Sequence, residues 1–576
     1  MTKGKQNVIP FQQGASFYMK RAAKVAEKND LTAALLRYRK AAESAPDDPE
    51  PRIAAAEILS QMLRFEDSNI ELMLLLGEGN GTPECHFGIA CNFFGMREYD
   101  AAANSMEDYL DEDPDGPFAY DAEDCLDLID DDQAMYEMTG LYSDQDYDDE
   151  ACVLFVRRLL SGGEYADAIT ELKHQLTVSP DAPEVKNQLA LAYLMNDEPQ
   201  RAEALAKELI EGDPSNVTAH CVLALLLHGA HDDAGALAEM ETLSTIETNQ
   251  PEELAAVGAL QLEMEQYEKA QDTFRALLQL VPYDRAALHG AGYACYMLCD
   301  ADGAKKCYQK LLAVDPKDTV ARFYLQQSGA EPRDPLRRSR GWSIPYQVPY
   351  GEMFARMKRL NKLLSAGEAT FRRLWATDAE SQELLDWALR LPNSAVKRAV
   401  LAAAYTMDDA RSDRMLREFL LRTDQPDELK RSVLAMMKKR GATPPYMVYL
   451  NGQWLLSSRV DMLEFSGELP AAYEEIVQIL LRYMVGARPE ECMLATAKTL
   501  HRFVESMGEK LPHISVKQEF SFAAALEYLG CLSAGEDTDK DEICRKYYVS
   551  EIRLNNALQQ LQPYAEPPVE RQGEDA

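Results

Sequence analysis

The sequence predicts an all-α fold, a solenoid of stacked helix pairs followed by further helical segments, and three observations predict it. Ala168, Ala202, Ala236, Ala270 and Ala304 recur at a constant interval of 34 residues. Pro180, Pro214, Pro282 and Pro316 mark unit ends in the same phase, while Ala190, Ala224, Gly258 and Gly292 put a small residue at one crowded position. Four residues after each alanine stands a bulky apolar side chain (Leu172, Met240, Phe274 and Tyr308, with Ala206 the exception), and Leu209, Leu243, Leu277 and Leu311 follow by seven. That i, i+4, i+7 stripe is the buried face of an amphipathic helix.

A period of 34 built in this way resembles the tetratricopeptide-repeat family. The resemblance extends toward the N-terminus. Ala22, Ala34, Tyr38, Ala41 and Pro46 fit one repeat, and Ala90, Phe93, Ala102, Met106 and Pro114 fit another two periods later. Between them only Ala56, Leu59 and Leu72 fit, as a degenerate repeat. Pro114 and Pro180 are 66 residues apart, two short of two periods, so the register slips within a degenerate acidic unit near 115–150. The resemblance covers 15–327, after an N-terminal tail at 1–14, and implies a right-handed superhelix whose concave face binds partners.

By length the chain would hold about three or four conventional domains, although a solenoid uses more residues in one body. With 46% apolar residues it reads as globular and helical. No apolar run is long enough to span a bilayer, and MTKGKQNVIPFQQGASF lacks a signal-peptide core, so a cytoplasmic location without membrane insertion is expected. The 11 cysteines are scattered without C-x-x-C spacing, which fits reduced thiols. Cys295, Cys299 and Cys307 would converge on a metal only if three ligands met, and no metal or cofactor is expected.

Net charge is −36, and 21 Asp and Glu with no Lys or Arg lie between Glu98 and Val156. Such a surface repels nucleic-acid phosphate. From Arg333 to Arg373 the bias reverses, with ten Lys or Arg against Asp334, Glu352 and Glu368. Either both are solvated faces, or the basic 333–373 region meets the acidic segment within the chain or across a homo-oligomer.

Pro332, Pro335, Pro345 and Pro349 exclude a continuous helix, so 328–351 reads as a Pro/Arg-rich linker pinned by Trp342, Tyr346 and Tyr350. Helical patterning resumes over 352–445, where SAVKRAVLAAAYTM and the segments after it resemble HEAT-type repeats. In PYMVYLNGQWLLSS, Asn451 and Gly452 separate two apolar runs. Asn-Gly supplies the positive φ angles of a type I′ turn, so 446–457 is expected as a β-hairpin that packs through Tyr449, Trp454 and Leu455.

The last domain spans 470–562, before a disordered tail at 563–576. Ile543, Cys544, Tyr547, Val549, Ser550, Leu554 and Ala557 resemble the helix-turn-helix that ends a cyclin-like helical domain. Ser550 would cap the second helix and Val549 would pack in the turn. Tyr548 stands where such turns carry glycine. If this unit read DNA, Arg553, Asn555 and Asn556 would make the contacts, but Glu536, Asp537, Asp539, Asp541, Glu542 and Glu551 oppose approach to a duplex.

Catalytic signatures are absent from the sequence: no phosphate loop, no paired-histidine zinc helix, no nucleophile elbow and no dinucleotide glycine fingerprint. His228 and His231 read as a groove position and a turn residue. Repeat register projects Phe87, Phe94, Leu154, Arg157, Asn187, Leu191, Met195, Leu225, His228, Leu262, Tyr293, Tyr296 and Met297 into the concave face. Family members that capture a peptide C-terminus use a Lys, Arg and Asn clamp, which only Arg157 and Asn187 approach. The expectation is a non-catalytic scaffold that binds a protein or an amphipathic helical peptide. The alternative is a transcriptional regulator with a sensing repeat array and a DNA-binding C-terminal domain.

Overall fold

The computed structural model of the chain describes residues 14–139, 156, 159–160, 163–176, 180–328, 348–442, 445–450, 453–456, 471–484, 488–512, 514, 516–536, 538–547, 549–565 and 567. Asn451, Gly452, Trp342, Tyr346, Leu154, Arg157 and Tyr548 lie outside the described residues. Among the described residues the fold is all-α apart from one two-stranded hairpin. Contacts divide it into two compact units, one of Met1–Leu141 with Asp197–Arg414 and one of Tyr142–Asn196 with Met415–Ala576. The division cuts through the repeat array instead of following its end near 327.

In the first unit the array begins with the pairs Ala15–Ala26 and Leu31–Ser44, Glu50–Gln61 and Phe65–Gly77, and Pro83–Gly95 and Tyr99–Glu112, followed by helix Ala119–Thr139. After Pro199–Gly212 come Val217–Gly229 and Asp233–Leu243, Pro251–Glu263 and Tyr267–Leu280, Arg285–Met297 and Ala301–Val314, and then Thr319–Gln327. A left-handed residue stands before the second helix of each repeat: Asn29, Leu63, Arg97, Gly163, Asp197, His231, Glu265 and Cys299 all have positive φ. These hinges are 34 residues apart except between Arg97 and Gly163, where the interval is 66, the same slip that the prolines mark.

The N–H after the hinge reaches back to the first helix, as in Asp30 to Val25 O, Arg64 to Leu59 O, Gln266 to Gln261 O and Asp300 to Cys295 O. This 6→1 bond is the Schellman closure, which satisfies an end carbonyl and turns the chain into its partner helix. Alanines 34, 102, 168, 202, 236, 270 and 304 are all fully buried in the second helices. In the degenerate pair the equivalent residue is Ser68, buried, whose hydroxyl donates to the Ala56 carbonyl at 2.8 Å and accepts from Asn92.

One long-range seam closes this unit. Ala34, Leu35, Ala55, Ile58, Leu59 and Met62 of the first repeats pack with Val314, and Tyr283 flanks them. Arg39 donates to the Ala313 and Val314 carbonyls, and Asp315 accepts a two-pronged bond from Arg390 and another from Arg285. The helices Tyr350–Leu364, Glu368–Thr377, Ala379–Leu389 and Ser394–Tyr405 continue the unit. Their cations meet nearby acids: Arg356 pairs with Glu352, Arg359 with Glu352 and Glu380, and Arg372 with Glu368. The ion pairs seen for these three arginines are thus with carboxylates of the 352–380 stretch.

The second unit contains the helix pair Tyr165–Gln175 and Pro183–Met195, the helix Asp427–Arg440, the hairpin and the C-terminal helices. Strands Met447–Leu450 and Gln453–Leu456 pair antiparallel, with Leu450 opposite Gln453. Tyr449 sits edge-on to Trp454 at 4.9 Å and under the Lys430 ammonium at 4.8 Å, so the hairpin is seated on a helix as its small size requires. Helices Glu490–Met507 and Val516–Ala534 cross closely, since a Cβ on Gly530 would stand 1.9 Å from Thr496 Oγ1.

Glu527 is fully buried and accepts from Arg488, Lys546 and Tyr547, which satisfies a charge that would otherwise be costly in an apolar core. Lys540–Lys546 and Glu551–Leu561 form the helix-turn-helix-like end, with Ile543, Tyr547, Val549, Leu554 and Ala557 buried. Ser550, expected to cap the second helix, stands at its N-cap but makes no side-chain cap bond.

Candidate functional site

The first helices carry the face that repeat register points inward. Some start on short polar caps: Asn216, Asp284 and Asp318 accept from the backbone N–H groups of Ala219, Ala287 and Ala321. Asp318 also binds His289 Nε2 at 2.7 Å. Burial pushes the Asp318 carboxyl up, but His289 outweighs it and holds the pKa down at about 2.

The structure distributes the expected groove residues unequally. Tyr293, Tyr296 and Leu262 are buried. Tyr324, from the next first helix, lies 5.6 Å from the Tyr293 ring and 5.3 Å from Tyr296, and Tyr308 stacks on Tyr324 at 5.7 Å. These tyrosines therefore form part of the core between repeats and are corrected from groove lining to packing residues. Phe87 is half-buried and stacks on Phe118 at 4.5 Å with ring planes 8° apart. Phe94 is 38% exposed and rests against Tyr99.

Leu225, His228 and Met297 are half-buried in the first unit, and Asn187, Leu191 and Met195 are half-buried in the second. His228 Nδ1 bonds the Asp233 carboxylate at 3.0 Å, and His231 occupies the left-handed turn at φ 68°. Leu225 and His228 therefore stay half-buried, whereas Tyr293 and Tyr296 are covered by Tyr324. What hid this difference from the sequence is that one helix position serves as groove or core according to the element that follows it.

At the C-terminal end of the second unit Arg553 and Asn556 are exposed, while Asn555 accepts from Lys540 at 3.0 Å. Among the described residues no group of three or more His, Cys, Asp and Glu is placed to hold a metal ion. Cys295 is buried, Cys299 exposed and Cys307 half-buried. Among the described residues no helix is long and apolar enough to cross a membrane.

No protein-family profile matches the chain. It is 23% identical over 379 residues to the TPR repeat-containing protein YvcD of Bacillus subtilis (strain 168), a match covering 65% of this chain and 77% of that protein. Among solved structures, a thermophilic TPR protein of Thermus thermophilus aligns at 18% identity over 31% of this chain and 97% of that one, with a TM-score of 0.27. Yeast Tom70 aligns at 13% identity over 90% of this chain and 96% of that one, also with a TM-score of 0.27. The 34-residue recurrence of hinge and buried alanine is the architecture of a tetratricopeptide-repeat array, and the Bacillus relative that this chain resembles is a TPR repeat-containing protein.

Proposed function

We propose that this protein is a non-catalytic cytoplasmic scaffold that takes an amphipathic helical segment of a partner protein on the first-helix face around Leu225 and His228. The carrying observation is the contrast along the array of the first unit. Leu225 and His228 remain half-exposed, whereas the chain's own Tyr324 covers Tyr293 and Tyr296. An amphipathic helix gains most where an apolar strip is accessible beside polar groups, and Leu225 beside His228 and Asp233 offers both. Only Arg157 and Asn187 approach a carboxylate clamp, which favours an internal segment of the partner over its C-terminus. In this reading 15–327 supplies the repeats, and 352–445, 446–457 and 470–562 are accessory segments.

A photocrosslinking amino acid at Leu225, introduced in the native cell, tests this. The expected product is a heterologous protein that crosslinks from Leu225 and not from Leu237, which is exposed on the following helix. Equal labelling from both positions would sink the proposal. Crosslinks only to a second copy would replace it with a homo-oligomer.

A further inference from the structure

His220 is buried on helix Val217–Gly229 of the first unit, with an acceptor on each side of its ring. Nδ1 lies 2.6 Å from Glu239 Oε2, on helix Asp233–Leu243 of the same repeat. Nε2 lies 3.0 Å from the Pro214 carbonyl oxygen, in the turn before its own helix. A carbonyl oxygen and an ionised carboxylate only accept, so both ring nitrogens must carry hydrogen for both bonds to stand. A neutral imidazole has one N–H and cannot make the two together. With the hydrogen placed on Glu239 instead of Nδ1, the pair still holds the same extra proton.

Other histidines make no such demand. His228, His289 and His501 each turn one ring nitrogen to a carboxylate, of Asp233, Asp318 and Glu505, which a neutral tautomer satisfies. His86 has Asp108 and Glu112 on its two sides, but at 3.8 and 3.6 Å, beyond hydrogen-bonding distance.

We propose that His220 and Glu239 form a proton-held latch that ties helix Asp233–Leu243 to helix Val217–Gly229 and opens as pH rises. Glu239 faces the ring from the second helix of the repeat. Asp213, in the turn, bonds Ser215 and lies within electrostatic reach of the ring. On the following first helix, Pro251–Glu263, Glu253 accepts from Thr248. On the preceding helix, Pro199–Gly212, Arg201 pairs with Glu198 and Lys207 with Glu203.

Loss of the extra proton leaves Nε2–H on the Pro214 carbonyl and turns a bare nitrogen lone pair on Glu239. Two acceptors at 2.6 Å repel, and the partly exposed Glu239 side chain turns to water. The contribution of the latch to stability is therefore present at low pH and lost as pH rises through the release of that proton. Val217, Cys221, Ala224, Met240 and Leu243 stay packed, so the helix pair loosens and does not unfold. Leu225 packs against the same cluster. An effect on partner capture rests on the Leu225 reading, whereas the latch itself does not.

The test uses the full-length protein with nitrogen-15 histidine, His220→Gln to identify the His220 signals, and NMR of the two ring nitrogens from about pH 5 to 10. The expected result is two protonated nitrogens at about pH 7, with only Nε2 protonated at higher pH. Over the same interval hydrogen exchange, corrected for its intrinsic rate, should quicken in 233–243 and not in helix Tyr267–Leu280. In Glu239→Gln the amide can donate to a bare Nδ1, so the ring should turn neutral about one pH unit lower. A neutral His220 at about pH 7, or a titration that Glu239→Gln does not move, would overturn the proposal. So would exchange in 233–243 that stays level with Tyr267–Leu280 throughout, a measurement on the wild-type chain that needs no variant to fold.

Discussion

Arg39 Nη2 donates to the Val314 carbonyl at 2.9 Å, so a side chain of the first repeat caps the end of helix Ala301–Val314. Burial lowers the Arg39 pKa against the pull of Glu71, Asp315 and Asp67, which marks a charge held by its partners and not by water. Arg39→Met keeps the stem and removes the donors. The expected loss is about 1.5–3 kcal/mol, the range for hydrogen bonds to a charged group, read as a lower urea midpoint at unchanged slope. Hydrogen exchange should rise in 301–314 first. An unchanged midpoint would mean that Leu35, Ile58 and Val314 hold this seam without the arginine.

Gly292 faces the ring of Tyr308, and a Cβ there would come within 2.8 Å of it. Tyr308 is fully buried and has no room to retreat. Gly292→Ala should therefore destabilise by about 1–3 kcal/mol through overpacking. Combined with Tyr308→Leu, the alanine should cost much less, and a double-mutant cycle measures that coupling. Additive losses would show that the crowding lies elsewhere.

Leu63 sits at φ 60° and is 59% exposed, so its side chain contributes little packing while its backbone is strained. A left-handed residue with a Cβ costs roughly 1–2 kcal/mol, part of which glycine returns as entropy in the unfolded chain. Leu63→Gly should raise stability by about 0.5–1 kcal/mol in thermal denaturation, whereas the β-branched Leu63→Val should lower it. Glu265→Gly, at φ 57°, serves as the parallel case in an ordinary repeat.

Glu164 Oε1 accepts from the Asp427 N–H at 2.9 Å in the second unit. Burial, and then the Asp427 carboxylate, raises its pKa from 4.5 to about 7 despite the opposing Lys430. Below pH 4.5 the group is protonated in folded and unfolded chains, and its contribution is fully present. Between pH 4.5 and about 7 the unfolded chain ionises first, so stability falls. Glu164→Gln keeps an acceptor and cannot ionise. Its stability should be flat over this window and exceed that of the native chain above pH 7, by at most ~3 kcal/mol. A pH series of urea titrations checks the crossover.

The repeat phase was legible because close helix packing admits few residue types, as Ala270 and Gly292 illustrate. The hinges were not, although they keep the same period more faithfully. Asn29, Leu63, Arg97, His231 and Glu265 share a backbone conformation and no side-chain chemistry, so composition carries no trace of it. The degenerate repeat was partly hidden because Ser68 replaces alanine and recovers its burial through bonds to Ala56 and Asn92.

The site was less legible than the fold. Tyr293 and Tyr296 stand at groove positions by register, and only the ring of Tyr324 decides that they are core, while Phe87 is half-buried against Phe118. Ser550 occupies its cap position without capping, because residue type at that site permits the bond but does not compel it.

Tyr142–Asn196 belongs with Met415–Ala576, although Asp197–Arg414 separates them along the chain. On the ribosome the earlier piece therefore emerges well before the surface it belongs to. At about 5–20 residues per second the wait is roughly 10–45 s. During that interval Val185, Leu189 and the other apolar residues of helix Pro183–Met195 lack the later half of their unit, so the nascent chain is most open to chaperones and proteases there. A break placed after residue 141 or 196 would separate halves of one body, and two co-expressed fragments divided at those points would have to find each other to complete it.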